Sequence, residues 1–255
     1  MTIGLIPARL NSTRLPNKPL LEIEGLPLVM HVYFRAKLAK KLERVIVCAD
    51  DYKIYQTVKK YGGECILTNK KHKNGTERIC EVAKKIKIKT EHIIDIQCDA
   101  CFLNPNDIDK LILFHKKNDN FDIIIPHSIF KIKEDISSVK ICSDKKGNIY
   151  YMSRNDIPYD YYKKKNYFKR HQDFISFKKN SLLKYSKLKS SHLELIEGVE
   201  LLRALENQMK LGTFQIKDEH PLTSINTKSD YKNGDKRMRY DKVKKYYLNK
   251  INTVS

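Results

Sequence analysis

The sequence predicts an α/β fold in which a mostly parallel sheet is covered on both faces by helices. Two observations carry this reading. Between Ile3 and Pro126, short apolar runs alternate with longer amphipathic stretches. Cationic, amide and acidic residues then gather just past the ends of those runs, which is where open parallel sheets hold their ligands.

Strands are expected over Ile3–Ile6, Arg44–Ala49, Glu64–Leu67, His92–Gln97 and Asp122–Pro126. They are short and apolar without polar alternation, as strands buried on both faces are. Helices are expected over Pro27–Lys41, Tyr52–Tyr61, Thr76–Ile86 and Pro105–Lys116. Strands separated by segments of helical length and period build βαβ units, the repeating piece of a Rossmann-like three-layer fold. Beyond residue 135 the pattern changes. Val139–Cys142 and Ile149–Met152 flank Asp144-Lys145-Lys146-Gly147-Asn148, which is hairpin chemistry. A strand over Asp173–Phe177 follows, then a periodic helix from Leu193 to Met209 with Leu193, Ile196, Val199, Leu202 and Leu205 on its apolar face. Thr227–Lys250 reads as a basic helix.

A chain of 255 residues can bury a full core as one domain. No apolar run approaches the roughly 18 residues that span a bilayer, and the start lacks a secretory pattern, so a cytoplasmic protein is expected. Cysteines 48, 65, 80, 98, 101 and 142 fit reduced thiols better than a disulfide framework. The formal charge of +20 raises the question of nucleic acid. Most of that excess sits in two segments: residues 163–189 carry ten Lys/Arg and one Asp, and 228–255 carry nine against three Asp. Both read as solvated faces.

The densest chemistry lies at the end of the first strand, in Ile6-Pro7-Ala8-Arg9-Leu10-Asn11-Ser12-Thr13-Arg14-Leu15-Pro16-Asn17-Lys18-Pro19-Leu20. Arg9 and Arg14 offer planar forks to phosphate oxygens, and Lys18 adds a point charge. Pro7, Pro16 and Pro19 restrict the backbone, and Asn17 tolerates the positive φ of a tight turn. The loop is built to cradle a triphosphate. A second element, His72-Lys73-Asn74-Gly75-Thr76-Glu77-Arg78, opens a helix whose N-terminus favours negative charge; Gly75 permits close approach and Thr76 can cap. A third, Ile96-Gln97-Cys98-Asp99, ends the fourth strand with a carboxylate. Cys98-x-x-Cys101 has the spacing of a redox pair or half a zinc site, but no second pair completes a zinc set, and small buried hydrophobes are the preferred reading.

These segments resemble the acid-sugar cytidylyltransferases, closest to the 3-deoxy-manno-octulosonate (Kdo) cytidylyltransferase family. That family carries a Pro-Ala-Arg…Ser-Thr-Arg-Leu-Pro-x-Lys-Pro-Leu loop around the phosphates of CTP. The resemblance implies nucleotide contacts from Pro7, Ala8, Arg9, Arg14, Lys18, Asn74, Gly75, Thr76, Arg78 and Gln97, with Arg9, Lys18 and Asp99 catalytic. Asp99 matches the family's Mg²⁺ ligand in Gln-Gly-Asp-Glu-Pro; Cys98, Ala100 and Cys101 replace its neighbours. The family's second metal carboxylate, in Gly-Val-Asp-Thr, falls on Asn226, whose amide oxygen coordinates with one charge fewer. Sugar-side positions match only in part. Lys140, Arg154, His171, Glu197 and Glu200 are retained, while the Gln that contacts sugar is Leu201.

By resemblance, residues 1–135 form the nucleotide-binding core, 136–226 a sugar-binding and dimerisation region completing the same domain, and 227–255 a basic C-terminal helix. The implied reaction joins CMP from CTP to an acidic sugar, Kdo or a modified relative, with loss of pyrophosphate, in a homodimer that serves lipopolysaccharide or capsule synthesis. Losses on the sugar side lead us to expect an acceptor other than ordinary Kdo. Two rivals stand beside this. One is a catalytically impaired nucleotide-binding homologue, motivated by Asn226 and Ala100. The other is a basic nucleic-acid-binding protein, which leaves residues 6–20 without an explanation.

Overall fold

The computed structural model describes residues 1–11, 15–86, 89–131, 134–163, 167–217 and 224–252, the side chains of 249–252 excepted. Strands β1 (Thr2–Ala8), β4 (Arg44–Ala49), β5 (Cys65–Leu67) and β6 (His92–Ile96) run parallel in the order β5-β4-β1-β6. Every residue of β1 and β6 is buried, His92 and Asp95 of β6 included. Within β1, Ile3 and Leu5 join the core on one face of the sheet, while Ile6 and Ala8 join the core on the other.

Past β6 the sheet turns antiparallel. The order continues β11 (Phe174–Lys178), β7 (Ile123–Phe130), β10 (Phe168–His171), β8 (Lys140–Ser143), β9 (Ile149–Ser153), and β12 (Leu211–Gln215) lies parallel to β7. Strands β2 (Glu22–Ile23) and β3 (Leu26–Pro27) form a separate small hairpin. Helices α1 (Leu28–Lys37), α2 (Tyr52–Lys60) and α4 (Pro105–Lys117) cover one face of the sheet, and α3 (Gly75–Lys85) and α5 (Lys179–Tyr185) the other. The nine expected strands and helices before residue 130 are all present, with ends shifted by a few residues.

The β8–β9 hairpin forms where the turn chemistry places it. Gly147 takes φ +88, and a side chain there would meet the Thr213 carbonyl oxygen at 2.4 Å, so the turn packs its backbone directly on β12. Two expected long helices are each divided. Gly198, at φ 61, ends α6 (His192–Glu197), whose Ile196 is exposed rather than turned to the core, and burial begins at Val199 and continues in α7 (Leu202–Glu206). The C-terminal segment forms α8 (Lys228–Arg239) and α9 (Lys242–Asn252). Asp241 makes that break: its carboxylate accepts the Lys244 N–H at 2.7 Å and pairs with the buried Arg35 guanidinium at 2.5 Å. Among the described residues, no helix is long and apolar enough to cross a membrane.

The core holds several neutral imidazoles. Burial pushes His31, His115 and His127 down to about 4. Each lies below its unfolded value near 6.5, so their contribution is complete above that pH and is lost as pH falls toward 4. Asp95 and Glu200, whose carboxyls burial raises, act in the opposite sense and offset part of the loss. Urea unfolding at about pH 7.5 and pH 5 should therefore show a less stable protein in acid, by about 2 kcal/mol per imidazole before that offset, with protons taken up on unfolding. Resonances of these imidazoles that titrate near pH 6.5 in the folded protein would contradict their burial.

Candidate active site

A cavity of about 320 Å³ opens at the carboxyl ends of β1 and β6. Its cationic lining comes from Arg9, Lys18, Lys73 and Arg78, and its acidic lining from Asp99 and Glu200. Pro7, His72, Asn74, Gly75, Gln97, Cys98 and Asn226 complete the wall.

The N-terminal loop reaches the cavity through a tight turn. Asn17 stands at φ 54, and a 3-10 helix, Lys18–Leu20, follows with Pro19 buried. Leu10 is tied by its N–H to Asp50 Oδ1 at 2.9 Å. Arg9 is exposed at the cavity wall, and Ala8 is buried in β1 just behind it. Arg14 lies outside the described residues.

The Lys18 side chain crosses the floor. Its ammonium donates to Asp99 Oδ2 in a short ion pair and to Asn226 Oδ1 at 3.2 Å. Asp99 follows β6, and its backbone oxygen accepts the Ile225 N–H at 3.1 Å, which brings Asn226 alongside. The Asn226 amide nitrogen donates to Ser224 Oγ at 3.1 Å, so its oxygen faces Lys18. Two oxygen donors thus converge on one cationic point. Neighbouring carboxylates are engaged elsewhere: Asp50 faces Arg78 at 3.7 Å, Asp51 accepts the Lys53 N–H at 2.9 Å, and Asp230 accepts the N–H groups of Asn226 and Thr227. Among the described residues there is no cluster of three or more His, Cys, Asp or Glu side chains that could hold a metal.

Helix α3 aims its N-terminus at the same space. Its cap is Asn74, which accepts the Glu77 N–H at 2.8 Å, so the helix begins one residue before the expected Thr76. Thr76 instead gives its hydroxyl to Glu200. A side chain on Gly75 would stand 3.1 Å from Pro7 Cγ, so the glycine lets α3 close on β1. Arg78 is buried and donates to Thr68 Oγ1 at 2.6 Å, which fixes its guanidinium at the wall.

Below the wall, Gln97 Nε2 donates to Asp95 Oδ2 at 3.1 Å. Burial, followed by the nearby charge of Glu200, pushes the Asp95 carboxyl well above its usual range, and burial raises Glu200 too. Sequence reasoning missed Asp95, because one acid inside an apolar strand carries no motif. It also left His72, Lys73 and Cys98 unassigned, although they line the space.

Of the sugar-side candidates, only Glu200 reaches the cavity. Lys140 is fully buried and donates to the backbone oxygen of Arg154 at 2.6 Å, with Asp156 at 3.3 Å. Arg154 donates to the carbonyls of Ile136 at 2.9 Å and Gly198 at 3.1 Å. Glu197 accepts from Ser153 Oγ at 2.8 Å and Tyr151 at 3.2 Å. These three residues clamp β9 to α6. His171 stands at the end of β10 opposite His127, away from the cavity lining.

Cys98 and Cys101 are buried, and burial pushes the Cys98 thiol up to about 12 and raises that of Cys101 as well. Thiolate, the redox and metal-binding form, is thereby suppressed. An aromatic disulfide reagent at about pH 8 should label the partly exposed Cys142 in the native protein and the other five thiols only in denaturant. Fast native labelling of Cys98 would restore the redox reading.

Three comparisons bear on this site. The family model described as "Cytidylyltransferase" matches residues 3–211. A 3-deoxy-manno-octulosonate cytidylyltransferase of Fusobacterium nucleatum is 38% identical over 236 residues, covering 89% of this chain and 93% of that protein. One from Escherichia coli is 32% identical over 214 residues, covering 83% and 86%. Among solved structures, CMP:2-keto-3-deoxy-manno-octonic acid synthetase complexed with CTP superposes with a TM-score of 0.87 at 29% identity, covering 93% of this chain and 98% of the other.

Proposed function

This chain belongs to the cytidylyltransferase family, and from that premise we propose that it transfers CMP from CTP to Kdo, releasing pyrophosphate, in the synthesis of lipopolysaccharide or a related glycan. The convergence of Lys18, Asp99 and Asn226 beside Arg9, Arg78 and the N-terminus of α3 carries the reading. Such a floor suits a triphosphate, whose oxygens take charge-assisted hydrogen bonds from guanidinium, ammonium and helix amides. In this reaction the anomeric hydroxyl of the sugar attacks the α-phosphate, and the bond to the β-phosphate oxygen breaks. Arg9, Arg78 and Lys18 neutralise charge growing on the phosphate oxygens, an effect strongest in a site closed to water.

Relatives of this family generally depend on a divalent metal, and Mg²⁺ is the ion proposed here. The donor set fits it: one carboxylate and one amide oxygen meet at a single point, and Mg²⁺ commonly takes one or two carboxylates together with substrate phosphates. Asp99 and Asn226 would hold the ion, which when bound draws charge from the phosphate oxygens. Kdo is preferred over a modified acceptor because the named relatives act on it. The clamp made by Lys140, Arg154 and Glu197 supports the wall from which Glu200 enters the cavity.

The test is pyrophosphate release from CTP and Mg²⁺ with Kdo and a panel of other acid sugars, with the CMP conjugate identified by mass. Kdo should be turned over preferentially, and Asp99→Asn should lower kcat by about 100-fold or more. Turnover of another sugar in preference to Kdo would replace the acceptor, and no conjugate from any sugar would favour the impaired homologue.

A homodimer through the region after residue 135 is part of the same proposal. Helix α6 buries none of its residues within the chain, and Leu195 and Ile196 are 72% and 67% exposed. Adjacent apolar residues left in water fit a partner of the same kind. Light scattering should give twice the chain mass for the unaltered protein and a lower mass for Leu195→Glu with Ile196→Glu. An unaltered protein at monomer mass would refute the pairing.

A further inference from the structure

The two oxygens suited to a divalent ion already hold a cation of the protein's own. Lys18 Nζ takes Asp99 Oδ2 and Asn226 Oδ1 together, and both partners of the ion pair are largely buried, at 13% and 16% exposure. An ammonium and a divalent ion cannot share those oxygens without strong repulsion at contact distance. We propose that Lys18 is an internal counter-ion that keeps the metal position filled until nucleotide phosphates draw it away, so that this chain takes its divalent ion only together with the nucleotide. This rests on reading the cavity as a nucleotide triphosphate site.

Charge balance supports it. Asp99 contributes one negative charge and Lys18 one positive, so the resting pair is neutral. Position 226 adds an amide oxygen without charge, and Asp50, Asp51 and Asp230 are held by the partners described above. A free divalent ion arriving alone meets a compensated carboxylate. A triphosphate changes the terms. Its oxygens give the ammonium a new partner within reach of its rotatable four-carbon stem, and they add ligands for the ion beside the released Asp99. Lys18 lines the cavity, so this turn needs no backbone movement. Asn226 is then the residue that sets the order of binding: a second carboxylate there would leave a net negative charge beside Lys18 and attract the ion without nucleotide.

Electron paramagnetic resonance of free Mn²⁺, used as the probe ion, reads this directly. Without nucleotide, the unaltered protein should leave the free Mn²⁺ signal nearly intact, and adding CTP should deplete it beyond what the same CTP removes in the absence of protein. Lys18→Met should bind Mn²⁺ without nucleotide at least about tenfold more tightly than the unaltered protein, since the competing cation is gone. Asn226→Asp, which keeps Lys18, should gain affinity in the same direction. Thermal melts verify that both variants are folded. Equal Mn²⁺ affinity of the unaltered protein with and without CTP would overturn the exchange, as would two folded variants with unchanged nucleotide-free affinity. A separate thermal shift with CTP and Mg²⁺ tests the nucleotide reading: no shift there refutes the nucleotide site, while the nucleotide-free Mn²⁺ comparison still reports whether Lys18 competes for Asp99.

Discussion

The Lys18 ammonium is the point on which the site depends. It joins Asp99, 81 residues away in the chain, to Asn226, 208 residues away. Three chain segments with no local reason to meet are fixed there: the loop after β1, the exit from β6, and the turn before α8. The supporting contacts are backbone bonds and caps. Ile225 donates to the Asp99 carbonyl, and Asp230 caps α8 while accepting the Asn226 N–H. A buried ion pair is poor evidence for stability taken alone, because desolvation of both groups opposes their attraction. Its value here is positional. The pair gives the cavity floor a single arrangement.

Motif and role separate on the far side of the cavity. Lys140, Arg154 and Glu197 sit in segments that match the family pattern, yet their side chains satisfy backbone carbonyls and hydroxyls of this chain. Their chemistry is the same that would bind an acid sugar, since a cation near a carbonyl and a carboxylate near a hydroxyl serve either purpose. Only three-dimensional placement distinguishes them. The observed clamp holds β9, the segment before β8, and the end of α6 together, and Glu200 follows in the turn between α6 and α7, where it meets Thr76.

What could be read from the sequence follows from what each signal measures. Strands β1, β4, β6 and β7 are built on apolar runs, and the loop after β1 is a dense cluster of cations and prolines, so both stood out in the sequence. Strand β10 was not, because its inward position is Arg170, covered by the Phe130 ring at 5.0 Å rather than replaced by an apolar residue. Strand β12 is five residues with Gly212 in it, and that glycine is present because Ile124 and Phe121 approach within 2.9 Å of where a side chain would begin. The division of the Leu193–Met209 helix turns on one glycine in the left-handed region, which an apolar period that continues across it conceals. At the site, Asp99 and Asn226 were legible as a pair, but the Lys18 bond that joins them was not. A contact spanning 208 residues leaves no trace in spacing.

A cavity meant for a polyanion has to explain its acids. Asp95 and Glu200 lie at or under the wall, and two ionised carboxylates there would repel the phosphates proposed to bind beside Arg9, Lys18, Lys73 and Arg78. Burial raises both carboxyls, most strongly Asp95, and the charge of Glu200 adds to the cost of ionising Asp95. Both accept hydrogen bonds, Asp95 from Gln97 and Glu200 from Thr76, and carboxyls raised in this way carry negative charge less readily than exposed acids. The cations Arg9, Lys18, Lys73 and Arg78 outnumber the acids that line the cavity, Asp99 and Glu200. Asp99 is the carboxylate paired with Lys18, so the floor is neutral and the cationic excess lies in the wall around it.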